Sequence, residues 1–236
     1  MKLPFISVIV PTLNEEKLIE NCLKSIKNQD YKGKYEIIVA DGKSKDKTVE
    51  IARKYTDKVI IVNRKGRPAG LNEGAKHARG EILFFVDADC VLLPNTLTVF
   101  AKAFRSKKVV GATCPVAPLN AKMKDFLIYW FFNQFSKSSI KLGKPQISIV
   151  FGYRKEVFEK VGGFKEDIIP EEDLDLSLRI GKHGKIVFID DALVLTSPRR
   201  LEKWGRTKAA RIYISSYLNY FLRGKALGFR KYKPIR

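Results

Sequence analysis

The run Ile82-Leu-Phe-Phe-Val86, followed at once by Asp87-Ala88-Asp89, constrains the fold of this chain more than any other stretch. Five consecutive apolar residues, aromatic or branched, predict a strand covered on both faces, as in a parallel sheet with helices above and below. Two carboxylates then stand at the rim of an apolar layer. Unless a cation compensates them, they repel one another and are driven toward the neutral form. Mg²⁺ or Mn²⁺ bridging to substrate phosphates suits two aspartates that converge at a turn. The alternative is an Asx-type turn in which both only cap backbone groups.

The rest of the chain repeats one plan, strand, polar loop and helix. Strands are expected over 5–10, 36–40, 59–62, 109–114, 146–151, 186–189 and 193–195. Helices are expected over 15–28, 47–55, 69–78, 94–104 and 155–161, with another starting at Pro170 and turning Leu174, Leu178 and Ile180 to the core. Arg64 to Pro68 reads as a basic loop and Pro115 to Asn120 as a linker. Such alternation predicts an α/β fold with an open, mostly parallel sheet flanked by helices. Ligands bind such sheets beyond the carboxyl ends of the strands, so Thr12 to Glu15, Asp41 to Ser44 and Asp87 to Asp89 should share one rim. No Gly-x-Gly-x-x-Gly follows the first strand. The rim is acidic (Glu15, Asp41, Asp87, Asp89), which suits a nucleotide diphosphate held mainly through its metal. At Gly152, close backbone approach to a ligand is expected.

Charge bears on partners. The chain of 236 residues carries a formal net charge of +20. From Arg199 onward there are twelve Lys or Arg against one acid, Glu202, interleaved with Trp204, Tyr213, Tyr217, Tyr220 and Phe221. That mixture fits an anionic membrane surface, with nucleic acid as the competing partner. Met123 to Phe135 is aromatic but too short to span a bilayer, so it is either a core helix or an interfacial one. No signal-peptide pattern precedes the first strand, and a cytoplasmic location is expected. Three scattered cysteines read as reduced residues in or near the core, and two histidines in polar segments give a zinc site little support.

In order along the chain stand Val8-Ile-Val-Pro11-Thr-Leu13-Asn-Glu15, Ile38-Val-Ala-Asp41-Gly-Lys-Ser44, Ala69-Gly-Leu-Asn72-Glu-Gly74, Val86-Asp87-Ala-Asp89, and Gly162-Gly-Phe164 leading to Glu172-Asp173-Leu-Asp175-Leu. Together they resemble the inverting glycosyltransferases of family 2, over roughly residues 5 to 190. The resemblance implies the GT-A, Rossmann-like fold over 1–196, with a nucleotide-binding half (1–114), an acceptor half (115–196) and a basic amphipathic tail (197–236). It implies donor-nucleotide contacts at Pro11, Leu13, Glu15, Asp41 and Ser44, with Arg67 and Asn72 beside the nucleotide and Ala88, Gly152 and Glu172 within the donor site. Asp89 would bind Mg²⁺ or Mn²⁺ directly, Asp87 would reach the ribose or the metal, and Asp173 would be the catalytic base. Arg199 and Arg200 would close over the donor phosphates as a loop, or else be membrane-facing charge. Processive relatives carry Gln-x-x-Arg-Trp where this chain has Arg200-Leu-Glu-Lys203-Trp204, so transfer of a single hexose is expected. The expected reaction is metal-dependent transfer from a GDP- or UDP-sugar, such as GDP-mannose or a UDP-hexose, to a hydroxyl of a lipid-linked acceptor at the inner membrane face, with no nucleic acid partner. The alternatives are a polyprenyl phosphate acceptor, or a non-catalytic module that binds nucleic acid or carbohydrate.

Overall fold

A computed structural model describes residues 3–209 except 121, 148, 169 and 170, together with 211, 212 and 215. In chain order the elements are β1 (Ile6–Thr12), α1 (Ile19–Lys27), β2 (Tyr35–Asp41), α2 (Thr48–Arg53), β3 (Val59–Ile61), α3 (Arg67–Lys76), β4 (Ile82–Val86), β5 (Cys90–Leu92), α4 (Thr96–Ala103), β6 (Val109–Thr113), β7 (Val116–Pro118), α5 (Met123–Lys141), β8 (Val150–Arg154), α6 (Lys155–Lys160), α7 (Glu172–Gly181), β9 (Lys185–Phe188), β10 (Val194–Thr196) and α8 (Arg199–Trp204).

Seven strands form one sheet in the order β3-β2-β1-β4-β8-β6-β9. β1 runs parallel to both β2 and β4, in register from Ile6 opposite Tyr35 to Thr12 opposite Asp41. β8 alone is antiparallel to its neighbours, and β6 and β9 are again parallel. Strands from both expected halves of the chain therefore share this sheet. Because β1, β2 and β4 point the same way, their carboxyl ends lie along one edge. Just past Asp89, β5 starts a second sheet of order β5-β10-β7.

β4 is buried along its whole length, as its composition predicts. Its side chains alternate between two apolar layers. Phe84 packs edge-on to Phe100 of α4, with ring centroids 4.8 Å apart. Phe85 faces Phe151, Phe158 and Phe164 on the other side. Burying an aromatic side chain of this kind contributes about 1.5–3 kcal/mol, so the strand anchors both layers. Cys22, Cys90 and Cys114 are free and buried, while His77 and His183 are exposed.

Several elements depart from expectation. The helix foreseen from residue 15 starts at Ile19, because Glu15 to Leu18 form a turn closed by Leu18 N–H on the Glu15 carbonyl at 3.0 Å. Arg67 and Pro68 are not loop residues but open α3, with proline in the first turn, where it sacrifices no hydrogen bond. The Pro115–Asn120 linker contains β7, whose strand ends at Pro118. The strand foreseen over 146–151 runs over 150–154 instead. Ile149 sits at φ 73°, outside any strand conformation, so the ladder starts after it. In α7 it is Leu176 rather than Leu178 that is buried with Leu174 and Ile180. α5 is not a core helix, since Asp125 and Ser139 are its buried residues. Among the described residues no helix is long and apolar enough to cross a membrane. Pro170 and the tail from Tyr213 onward, Ser215 apart, lie outside the described residues.

Candidate active site

The edge formed by β1, β2 and β4 holds three turns, which are bonded to one another. After β1, Asn14 turns the chain at φ 55°, a left-handed conformation that asparagine tolerates. Its N–H donates to Ser44 Oγ at 2.8 Å, and its side-chain oxygen accepts from Lys45 N–H at 2.8 Å. Glu15 N–H donates to Thr48 Oγ1 at 2.8 Å, and Gly42 N–H to the Thr12 carbonyl at 2.8 Å. Pro11 and Leu13 lie half-buried on the same turn, Leu13 against Gly42 and Pro11 against Gly70 of α3. Asp41 is fully buried, and both its oxygens accept from Ser44 N–H, at 2.9 and 3.1 Å.

Beyond β4, Asp87 and Asp89 are not left unpaired. Arg67, entering from the start of α3, donates from Nε to Asp87 Oδ1 at 2.9 Å. The same guanidinium donates to Asp173 at 2.9 and 3.0 Å and to Glu172 at 3.3 Å, both at the start of α7. Its ring neighbour is Phe151, 5.9 Å away. Arg199, at the start of α8, forms a bidentate pair with Glu15, both contacts 2.7 Å, and reaches Asp89 at 3.0 Å. The charge of Arg200 also favours an ionised Asp89. The compensating cations supplied by the fold are thus two guanidinium groups, which suit this role because they stay charged and donate in a planar fork.

Burial sets the proton affinities here. Asp173 is pushed up to about 7, first by burial and then by the charges of Glu172 and Asp87, against the opposing pull of Arg67. Glu172 is raised for the same first reason. Burial raises Asp89, reinforced by Asp87, and burial raises Glu15 despite Arg199. Three carboxylates share one guanidinium at Arg67, so the cluster carries excess negative charge that a proton relieves. Burial opposes the charge on Arg67, yet the surrounding carboxylates hold its affinity well above normal.

The structure brings Glu15, Arg67, Asp87, Asp89, Glu172, Asp173 and Arg199 into one linked cluster at the expected rim. Three others, Asn72, Ala88 and Gly152, are engaged in contacts within the fold. Asn72 is occupied at both ends of its amide, donating to the Phe164 carbonyl at 2.8 Å and accepting from Phe164 N–H at 2.9 Å. Ala88 packs in the core. Gly152 lies inside the sheet, where a Cβ would meet the rings of Phe100 and Phe104 at 3.3 Å, so the glycine makes room for these aromatics. Arg199 and Arg200 are helical, not a closing loop.

Sequence reasoning missed the bridging role of Arg67 and the Thr48 contact with Glu15. The Thr48 support carried a readable signal, since Asp46 before Thr48 is a turn-forming pair and the two are bonded at 2.5 Å. Thr12 Oγ1, Glu172 Oε2 and Arg199 Nε are buried without a hydrogen-bond partner. No group of three or more His, Cys, Asp or Glu suited to a metal occurs among the described residues. Asp87 and Asp89 nevertheless supply hard carboxylate oxygens from one turn. Mg²⁺ and Mn²⁺ ions are commonly held by one or two protein carboxylates and completed by substrate phosphates, so the residues fit such an ion.

A family model described as "Glycosyl transferase family 2" matches residues 7–162. Glycosyltransferase AglE of Haloferax volcanii is 31% identical over 205 residues, covering 81% of this chain and 66% of that protein. A dolichyl N-acetyl-alpha-D-glucosaminyl phosphate 3-beta-D-2,3-diacetamido-2,3-dideoxy-beta-D-glucuronosyltransferase of Methanococcus voltae is 27% identical, covering 92% of this chain and 71% of that protein. Among solved structures, the mannosyltransferase PcManGT of Pyrobaculum calidifontis, in complex with GDP-Man and Mn²⁺, superimposes with a TM-score of 0.71 at 24% identity, covering 96% of this chain and 66% of that one. This chain thus spans about two thirds of the length of AglE and of PcManGT. The structural likeness shows the fold, a GT-A arrangement of helices around a mostly parallel sheet.

Proposed function

Since the chain belongs to glycosyl transferase family 2, we propose that it transfers a single hexose from a nucleotide diphosphate sugar to a hydroxyl of a lipid-linked acceptor, with inversion and with help from a divalent metal. The observation that carries this reading is the Arg67 bridge. One guanidinium joins the aspartate at the donor rim, Asp87, to the buried carboxylate of α7, Asp173, so the two chemical halves of a displacement reaction lie within one side chain of each other.

The turns after β1 and β2, with Pro11, Leu13, Asp41 and Ser44, receive the nucleoside. Asp89 would hold the metal directly, with Asp87 at the metal or the ribose. When bound, the ion supplies charge stabilisation for the departing diphosphate. Arg67 and Arg199 add positive charge beside the same phosphates. Asp173 accepts the proton of the attacking hydroxyl, and its raised affinity suits a base working near neutral pH. A polyprenyl phosphate acceptor is already ionised and needs no base, so Asp173 favours a hydroxyl. The name of the Methanococcus voltae relative describes a lipid-linked acceptor, which supports that class. A place on the inner face of the membrane follows from such an acceptor and from the basic tail.

Replacing Asp173 with Asn tests the reading. Transfer should fall by roughly 10²–10⁴-fold, while calorimetric binding of GDP or UDP with Mn²⁺ is kept. Equal loss of both would make Asp173 a structural residue.

A further inference from the structure

Helix α5 is amphipathic in reverse. Its inward side places Tyr129 and Ile140 against the core and otherwise carries polar residues. Asp125 pairs with Arg206 at 2.8 Å, and Asn133 bonds both the N–H and the carbonyl of Val116, at 3.0 and 2.8 Å. Ser136 donates to the Gln146 carbonyl at 2.6 Å, and Ser139 accepts from Gln146 N–H at 2.9 Å. Its outward side is apolar: Met123 is 76% exposed, Phe126 43%, Leu127 63%, Trp130 61% and Phe131 63%. The spacing of three, four, seven and eight residues places these five on one stripe. A helix of a water-facing protein buries that stripe and exposes its polar residues, so this stripe is built for an apolar partner.

The charge around it identifies the partner. Lys122 and Lys124 stand exposed at one end of the helix and Lys141 at the other. The Asp125–Arg206 pair brings the start of the most basic part of the chain against α5. Aromatic residues flanked by lysines match the boundary between anionic headgroups and acyl chains, where ring and ammonium group are both satisfied.

We propose that α5 lies flat in the surface of an anionic bilayer, with Met123, Leu127, Trp130 and Phe131 below the headgroups and its lysines against lipid phosphates. This deepens the proposed function, because it names the surface that brings a lipid-linked acceptor to the site. α5 packs on β7, β7 pairs with β10, and β10 pairs with β5, which starts just past Asp89. The helix therefore sets the standing of the donor turn relative to the lipid plane.

The test uses the full chain with Trp204→Phe, which leaves Trp130 as the one remaining tryptophan of two. With phosphatidylglycerol vesicles carrying brominated acyl chains, Trp130 emission should shift to shorter wavelength and be quenched. In the wild-type background, Leu127→Glu with Phe131→Glu should lower vesicle partitioning about tenfold or more without changing the melting temperature, since both positions are exposed. Absence of quenching, or partitioning equal to wild type, overturns the proposal and leaves docking to the basic tail. Emission that shifts with protein concentration in the absence of vesicles, together with a dimer in sedimentation, also overturns it by assigning the stripe to a second copy. Transfer to a water-soluble acceptor is measured on the same double variant. Retained transfer in the variant with lost insertion supports the docking role of the stripe; transfer by a wild-type chain that does not insert overturns the docking alone, and absence of transfer in the wild-type chain overturns the functional reading.

Discussion

Arg67 lies at the centre of the cluster, half-buried among Asp87, Glu172 and Asp173. Removing one partner of a buried ionic group costs more than the pair itself contributes, because the remaining charges lose compensation. Arg67→Ala should therefore destabilise the fold by about 3–5 kcal/mol at about pH 8. The pH dependence has a definite sign. Asp173 and Glu172 have raised affinities in the folded state, so their destabilising effect is absent below the carboxylate range and grows as pH rises toward about 7. Without Arg67 those affinities rise further, and the deficit relative to wild type should shrink at about pH 5, where protons replace the guanidinium. Urea unfolding at the two pH values measures this, and an equal deficit at both would contradict it. The carboxylates were legible in the sequence because acids at strand and helix starts leave a local pattern. Arg67 was legible only as a basic residue near the nucleotide, since its partners lie 20 and 106 positions away. No spacing rule encodes a bridge of that length. The two bonds of Asn72 to Phe164, spanning 92 positions, were illegible for the same reason.

At the scale of elements, β4 was legible because apolar runs carry their own period, and β8 was not. Its antiparallel place between β4 and β6 depends on a partner sequence 70 residues earlier, and its start is displaced by the backbone at Ile149. β8 also explains Gly152. Phe100 and Phe104 of the α4 region lie where a side chain at 152 would stand. Gly152→Ala should thus cost about 1–3 kcal/mol through overpacking, with nucleotide binding retained in the folded protein. A weakened donor affinity at unchanged stability would return the residue to the site. α5 resisted reading from sequence because its polar residues are few and satisfied by backbone groups inside the fold. Aromatic content alone cannot distinguish a helix turned inward from one turned outward. In β7 the proline at the strand's end resembled a linker, although a proline there removes no ladder hydrogen bond from a longer strand.

Across the whole molecule the dominant quantity is the net charge of +20. Self-repulsion of that size opposes the compact state, and salt screens it over about 8–10 Å near physiological ionic strength. Raising NaCl from about 20 mM to about 500 mM should raise the melting temperature by a few degrees, while the same salt releases the protein from anionic vesicles. Thermal scanning and vesicle sedimentation on one salt series check both, and a melting temperature that falls with salt would mean that ion pairs outweigh repulsion. The sheet joins what the chain order divides, since β8 and β9 from the later half flank β6 from the earlier one. One short element spans that division at the site. Arg67 in the first turn of α3 grips Asp87 and Asp173, and Asn72 in the next turn pins Phe164 ahead of α7. In mechanical terms α3 is a gauge block: the gap between the donor turn and the base is machined into ten residues of helix, and thermal drift of the two walls is transmitted as rigid displacement of both rather than as a change in their separation.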